Sequence, residues 1–121
     1  KAQQIVQSVI DSGQAFNVIY AENDDMAKGA VAALDKANIS HGVGKDVIVM
    51  GFDCNKWALE ELLNQNWNYD GQCNPYQASY IEDVIKKLES GEKIDEKTII
   101  MDEKGFDATT ITQDDVDQFG I

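Results

Sequence analysis

Three short clusters of amide and carboxyl side chains follow apolar runs in this chain: Glu22-Asn23-Asp24-Asp25, Phe52-Asp53-Cys54-Asn55 and Gly71-Gln72-Cys73-Asn74. An ionised Asp accepts hydrogen bonds from neighbouring hydroxyls, while an Asn amide accepts through its oxygen and donates through its nitrogen. Such groups suit a polyol, and a ring such as Phe52 adds an apolar surface for the C–H side of a sugar. Each residue also has a plainer role. Asn23 is placed to cap a helix, Asp53 to turn the chain ahead of one, and polar residues beside a proline, such as Gln72 and Asn74, are ordinary in connections. Trp57 reads as packing, and Trp67 as either packing or a sugar platform.

Other chemistries fail on spacing. Gly42-Val43-Gly44-Lys45-Asp46 ends in Asp where a phosphate-binding loop needs Ser or Thr, and it leads into a strand rather than a helix. Asp114-Asp115-Val116-Asp117 lacks the glycine and the later glutamate of a calcium loop and reads as a solvated helix start. His41 is the sole imidazole and sits in a polar loop, so neither a Ser-His-Asp nor a Cys-His arrangement is supported. With no general base, nucleophile or cofactor loop, an enzyme is disfavoured and no cofactor or metal is expected. Cys54 and Cys73 are too few and too far apart for a zinc framework; two thiols are expected ahead of a disulfide between them. Asp24-Asp25 with Asp53 superficially suggests a phospho-acceptor receiver domain. That reading needs the acids on the first and third strands with Ser/Thr and Lys partners later, which the order here does not supply.

The elements that must position these groups follow from hydrophobic periodicity. Ile5, Val6, Val9 and Ile10 make one helical stripe that Ser12-Gly13 stops, and Phe16–Ala21 is a short strand. Asn23, Asp24 and Asp25 open a helix packed through Met26, Ala30, Ala33, Leu34 and Ala37 and ending near Asn38. Val47–Gly51 is an unbroken apolar run, the pattern of a parallel strand covered on both faces. Lys56–Gln65 is a helix, Trp67–Cys73 a strand, Ala78–Leu88 a helix behind Pro75, and Lys97–Met101 a further strand. Phe106–Ile111 is extended, and Thr112 caps a last short helical turn. Alternating strands and helices predict an α/β fold with right-handed crossovers and a doubly wound parallel sheet. Ligands of such sheets bind outside the carboxyl ends of the strands, where the three clusters stand.

The chain's 121 residues can enclose one hydrophobic core. A formal net charge of -12, from 10 Lys and Arg against 22 Asp and Glu, argues against a phosphate-neutralising surface and hence against nucleic acid as a partner. No apolar stretch approaches the roughly 18 residues needed to cross a bilayer. The chain opens on Lys1 and enters a helical pattern at once, so an upstream part is expected.

The run Val18-Ile19-Tyr20-Ala21-Glu22-Asn23-Asp24-Asp25-Met26-Ala27-Lys28-Gly29-Ala30, then Val47–Asp53, then Gly71-Gln72-Cys73-Asn74-Pro75, resembles type I periplasmic sugar-binding proteins of ABC transporters. Ribose and galactofuranose binders are the nearest groups, and Cys73-Asn74-Pro75 leans toward the second. The resemblance implies two α/β lobes on a hinge with a monosaccharide between them and a membrane permease as partner. It also implies location in the periplasm or outside the cell, with a lipid anchor on the parent protein as one form. Residues 1–74 would belong to the C-terminal lobe, and 75–121 would cross the hinge, give a helix and a strand to the other lobe, and end in a tail. Carried over by position, the sugar ligands are Asn23 and Asp53, with Phe52 beside them; Asn74 stands where ribose binders have Gln. The family's Asp-Arg pair and further Arg precede Lys1, so the chain alone is expected to bind sugar weakly or not at all, and its uncovered apolar surface to favour self-association. The alternative is the effector domain of a LacI-type transcription regulator, which resembles the same fold behind a DNA-binding helix-turn-helix.

Overall fold

The computed structural model describes residues 1–95 and 97–121. Two compact units are present: residues 1–73 with 104–121, and residues 74–103. The first begins with α1 (Ala2–Asp11), β1 (Val18–Tyr20) and α2 (Asp24–Lys36), followed by β2 (Ile48–Asp53), α3 (Lys56–Leu63) and β3 (Tyr69–Gln72). The second holds α4 (Ala78–Glu89), after which β4 (Gly105–Asp107) and α5 (Gln113–Phe119) complete the first unit.

One sheet runs through the first unit in the order β1-β2-β3-β4. β1, β2 and β3 are parallel, and β4 closes the edge antiparallel to β3, with Asp70 opposite Phe106. The parallel-dominated α/β sheet is the class that alternating apolar runs and helices predict. Because strand order advances in one direction, right-handed crossovers place α2 and α3 on the same face. There Ala27 and Leu34 of α2 pack with Val49 of β2, Leu59 and Leu62 of α3, Trp67, Phe106 and Val116 of α5. Each large apolar side chain so enclosed contributes about 1.5–3 kcal/mol.

Within the first unit the other face is left open by α2 and α3. Val18, Tyr20 and Ile48 are exposed, Tyr20 at 64%, and Phe52 lies between Tyr20 and Tyr69 with ring centroids 5.2 and 6.4 Å away. The apolar run of β2 reads as covered on both faces, but within this chain α2 and α3 cover only one. Period-2 alternation then sends Ile48 outward and Val49 inward.

Local chemistry sets the helix ends. Asn23 Oδ1 accepts from the Met26 N–H at 2.8 Å, Asp24 and Asp25 occupy the positive end of α2, and Asn38 leaves the helix at φ 56°. Thr112 and Asp115 form a reciprocal capping box at the start of α5. Gly42 takes φ 100° where a Cβ would run into the Gln65 carbonyl, so the Gly42–Gly44 segment is a tight connection.

In the second unit α4 ends at Ser90-Gly91, and Ile81, Ile85 and Leu88 on its apolar side are exposed. The predicted strand at Lys97–Met101 does not form; those residues carry no ladder, and Ile100 is 82% exposed. A strand needs a neighbour for its N–H and C=O groups, and neighbouring strands in sequence do not guarantee one. Both cysteines are free thiols, Cys54 buried and Cys73 exposed.

Candidate functional site

Parallel strands deliver their carboxyl ends to one edge, where the first two polar clusters meet the Gly71-Gln72 start of the third. β1 ends at Tyr20 and feeds Asn23 at the head of α2; β2 ends on Asp53, which is paired in register with Gln72 of β3. The two loops are tied together by Asp24. Its Oδ2 accepts from the Asn55 backbone N–H at 2.8 Å and from the Asn55 side-chain amide at 3.1 Å. Asn23 and Asp53 are both partly exposed at this edge.

The turn that presents Asp53 is strained. Asp53 at φ 125° and Cys54 at φ 62° are consecutive non-glycine residues in the positive-φ region, a conformation costing on the order of 1–3 kcal/mol each. Besides the Asp24 bonds, the turn is held by the chain's last residue. Ile121 N–H donates to the Cys54 carbonyl at 3.1 Å, and Lys56 N–H donates to the Ile121 carbonyl at 3.0 Å. Partial burial, and then the charge of Asp25, raise the Asp53 carboxyl above its ordinary range, while the Asp24 backbone N–H lowers it.

Each candidate takes a definite place. Asn23 spends its carbonyl on the helix cap and keeps its amide N–H groups for another acceptor. Asp53 ends β2 at the edge. Phe52 turns toward the bare face, between Tyr20 and Tyr69. Asn74 belongs to the second unit, where its Oδ1 accepts from Tyr76 N–H at 2.8 Å and its own N–H donates to Glu103 at 2.7 Å. Gln72 Oε1 accepts from Lys104 N–H at 3.2 Å. Trp67 is 1% exposed and meets Trp57 edge-on at 5.8 Å, so it is packing rather than a platform. His41 is bound at both nitrogens, to the Asn66 carbonyl at 2.8 Å and to Asp35 at 3.1 Å.

Sequence reasoning missed a buried acidic pair beneath the edge. Asp24 and Asp70 are both 0% exposed, and one oxygen of each, Asp24 Oδ1 and Asp70 Oδ2, has no partner among donors of the described residues. Burial raises both carboxyls, Asp70 to about 8, and the two are neighbours, since Asp24 Oδ1 lies over Gly51 and Gly51 is the register partner of Asp70. The available signal was Asp70 itself, an acid in mid-strand whose period-2 position faces the covered side.

The family described as periplasmic binding protein domain matches residues 1–93. A fructose import binding protein of Bifidobacterium longum is 30% identical over 112 residues, which are 91% of this chain and 33% of that protein. A Mycobacterium smegmatis protein solved in complex with β-D-fucofuranose has a TM-score of 0.75 and 27% identity, covering 89% of this chain and 34% of its own. A galactofuranose binding protein shares the fold at a TM-score of 0.82 and 21% identity, covering 98% of this chain and 40% of its own. The chain thus spans about a third of the length of the curated relative.

Proposed function

We propose, since the chain belongs to the periplasmic binding protein domain family, that it forms one wall of a monosaccharide site in the solute-binding component of an ABC importer. The supporting observation is the tie between Asp24 and Asn55, which joins the β1 and β2 tips and keeps Asn23 and Asp53 on one edge. The role of each follows from its atoms. The Asp53 carboxylate accepts from a pair of sugar hydroxyls, and the Asn23 amide nitrogen donates to a sugar oxygen. Phe52, the residue before Asp53 on β2, offers ring surface at the same strand tip. Delivery to a membrane permease and a location in the periplasm or outside the cell go with this reading. The similarity to an import-binding protein favours it over a transcription regulator's effector domain.

Affinity arises when a second lobe excludes water from these hydrogen bonds, so the chain alone binds sugar weakly or not at all. In the full-length protein Asp53→Asn weakens monosaccharide binding by roughly 1.5–3 kcal/mol, the range of a charged hydrogen bond. Titration calorimetry with wild-type affinity in that variant removes Asp53 from the site.

A further inference from the structure

Beneath the proposed sugar edge, Asp24 stands where two demands meet. Its Oδ2 holds the Asn55 amide and side chain, while Oδ1 lies over Gly51, where an added Cβ would come within 2.6 Å of it. Trp67 closes the same space, 2.9 Å from that Cβ position. Behind Asp24 is Asp70 of β3, equally buried, and neither acid has a Lys or Arg partner among the described residues. Two ionised carboxylates cannot occupy such a dry site together, since each loses its hydration and each repels the other. One proton between them removes the repulsion, gives the orphaned oxygens a partner and leaves a single charge, toward which the two Asn55 donors point.

We propose that Asp24 and Asp70 act as a positioning pair, in which a shared proton fixes Asp24 where it braces Asn55 and thereby holds the strained Asp53-Cys54 turn at the binding edge. The pair is internal to the fold and its operation depends on the reading of Asp53 as a sugar contact only for its functional consequence. Asp24 supplies the bond to the turn; Asp70 supplies the hydrogen-bonding partner that keeps Asp24 in place. The ionisable groups facing the pair are Asp53 at the end of β2 and the Cys54 thiol, whose Sγ is 3.9 Å from Asp70 Oδ1; Asp25 in turn faces Asp53. Burial, then the charges of Asp70 and Asp24, push the Cys54 thiol far up, so it stays protonated throughout. Loss of the shared proton in mild alkali therefore places two like charges in one site and displaces Asp24 from Asn55.

Carbon-13 NMR of the Asp side-chain carboxyls, followed together with the Asn55 amide, tests this on the chain as it stands. The Asp70 carboxyl and the Asn55 amide are expected to titrate together, with a midpoint near the value of about 8 to which burial pushes Asp70. Asp70→Asn, whose carboxamide donates a hydrogen bond at every pH, abolishes the Asn55 transition. An Asn55 amide that stays unmoved while the wild-type Asp70 carboxyl titrates overturns the proposal without needing any variant to fold. So does an Asp70→Asn protein that keeps the wild-type Asn55 transition. Monosaccharide affinity of the full-length protein separates the two ideas. Coupled titration of Asp70 and Asn55 with Asp53→Asn leaving affinity unchanged supports the pair and removes Asp53 as a sugar ligand. Affinity lost in Asp53→Asn with an Asn55 amide that does not titrate supports the sugar site and overturns the pair.

Discussion

Asp53 and Cys54 show what the edge requires of individual residues. Their positive φ values are unfavourable for side chains with a Cβ, yet a polar group is delivered there instead of the glycine such a turn would prefer. Asp24 from one side and Ile121 from the other hold that turn. Gly51 makes room for this arrangement, and Gly51→Ala should destabilise the fold by roughly 1–3 kcal/mol, the range for overpacking, because the new methyl meets Asp24 and Trp67. Chemical denaturation checks it; an unchanged midpoint would mean that Asp24 is free to move. The pair also links stability to pH. Asp70 is raised from 3.8 to about 8, so the folded state holds a proton that the unfolded chain releases. Its contribution is complete below the unfolded value and is lost as pH rises through the folded one. The urea midpoint should therefore fall between those two values, and the fall should shrink in Asp70→Asn. At this scale the sequence showed Asn23 and Asp53 because they follow apolar runs, and it hid the Asp24-Asp70 pair, since an acid at a helix start has an adequate explanation in the helix dipole.

Among the elements, those with local signals were legible. Asn23 and Asn38 mark the ends of α2, and Thr112 starts α5, because caps and left-handed exits are written in adjacent residues. Thr112→Ala removes the side-chain half of the capping box, leaving the backbone N–H of residue 112 to donate to Asp115, and should cost about 1 kcal/mol, measurable as a lower urea midpoint. Retained stability would place the anchoring of α5 in Val116 and the ring contact between Phe106 and Phe119 instead. Elements that depend on distant partners were harder. Gly105–Asp107 becomes a strand because Tyr69–Gly71 accepts it antiparallel, whereas Lys97–Met101 is richer in β-formers and has no ladder. Pairing across the chain, not propensity, decides between them.

For the whole molecule, the bare side of the sheet carries the clearest consequence. Val18, Tyr20, Ile48 and Phe52 line a face that α2 and α3 leave open, a condition that soluble domains usually avoid by covering such patches. The isolated chain should self-associate in sedimentation velocity as concentration rises, and Tyr20→Lys should reduce that tendency; a monomer at every concentration would contradict it. The proposed function rests on the edge rather than the face, on the proposed contacts of Asn23 and Asp53 with the sugar. The most direct measurement is a crystal structure of the full-length protein with whichever monosaccharide of a screened panel raises its melting temperature. Sugar hydroxyls are expected within hydrogen-bond distance of the Asp53 carboxylate, with a sugar oxygen accepting from the Asn23 amide. A sugar bound elsewhere, with both side chains facing solvent, would contradict it.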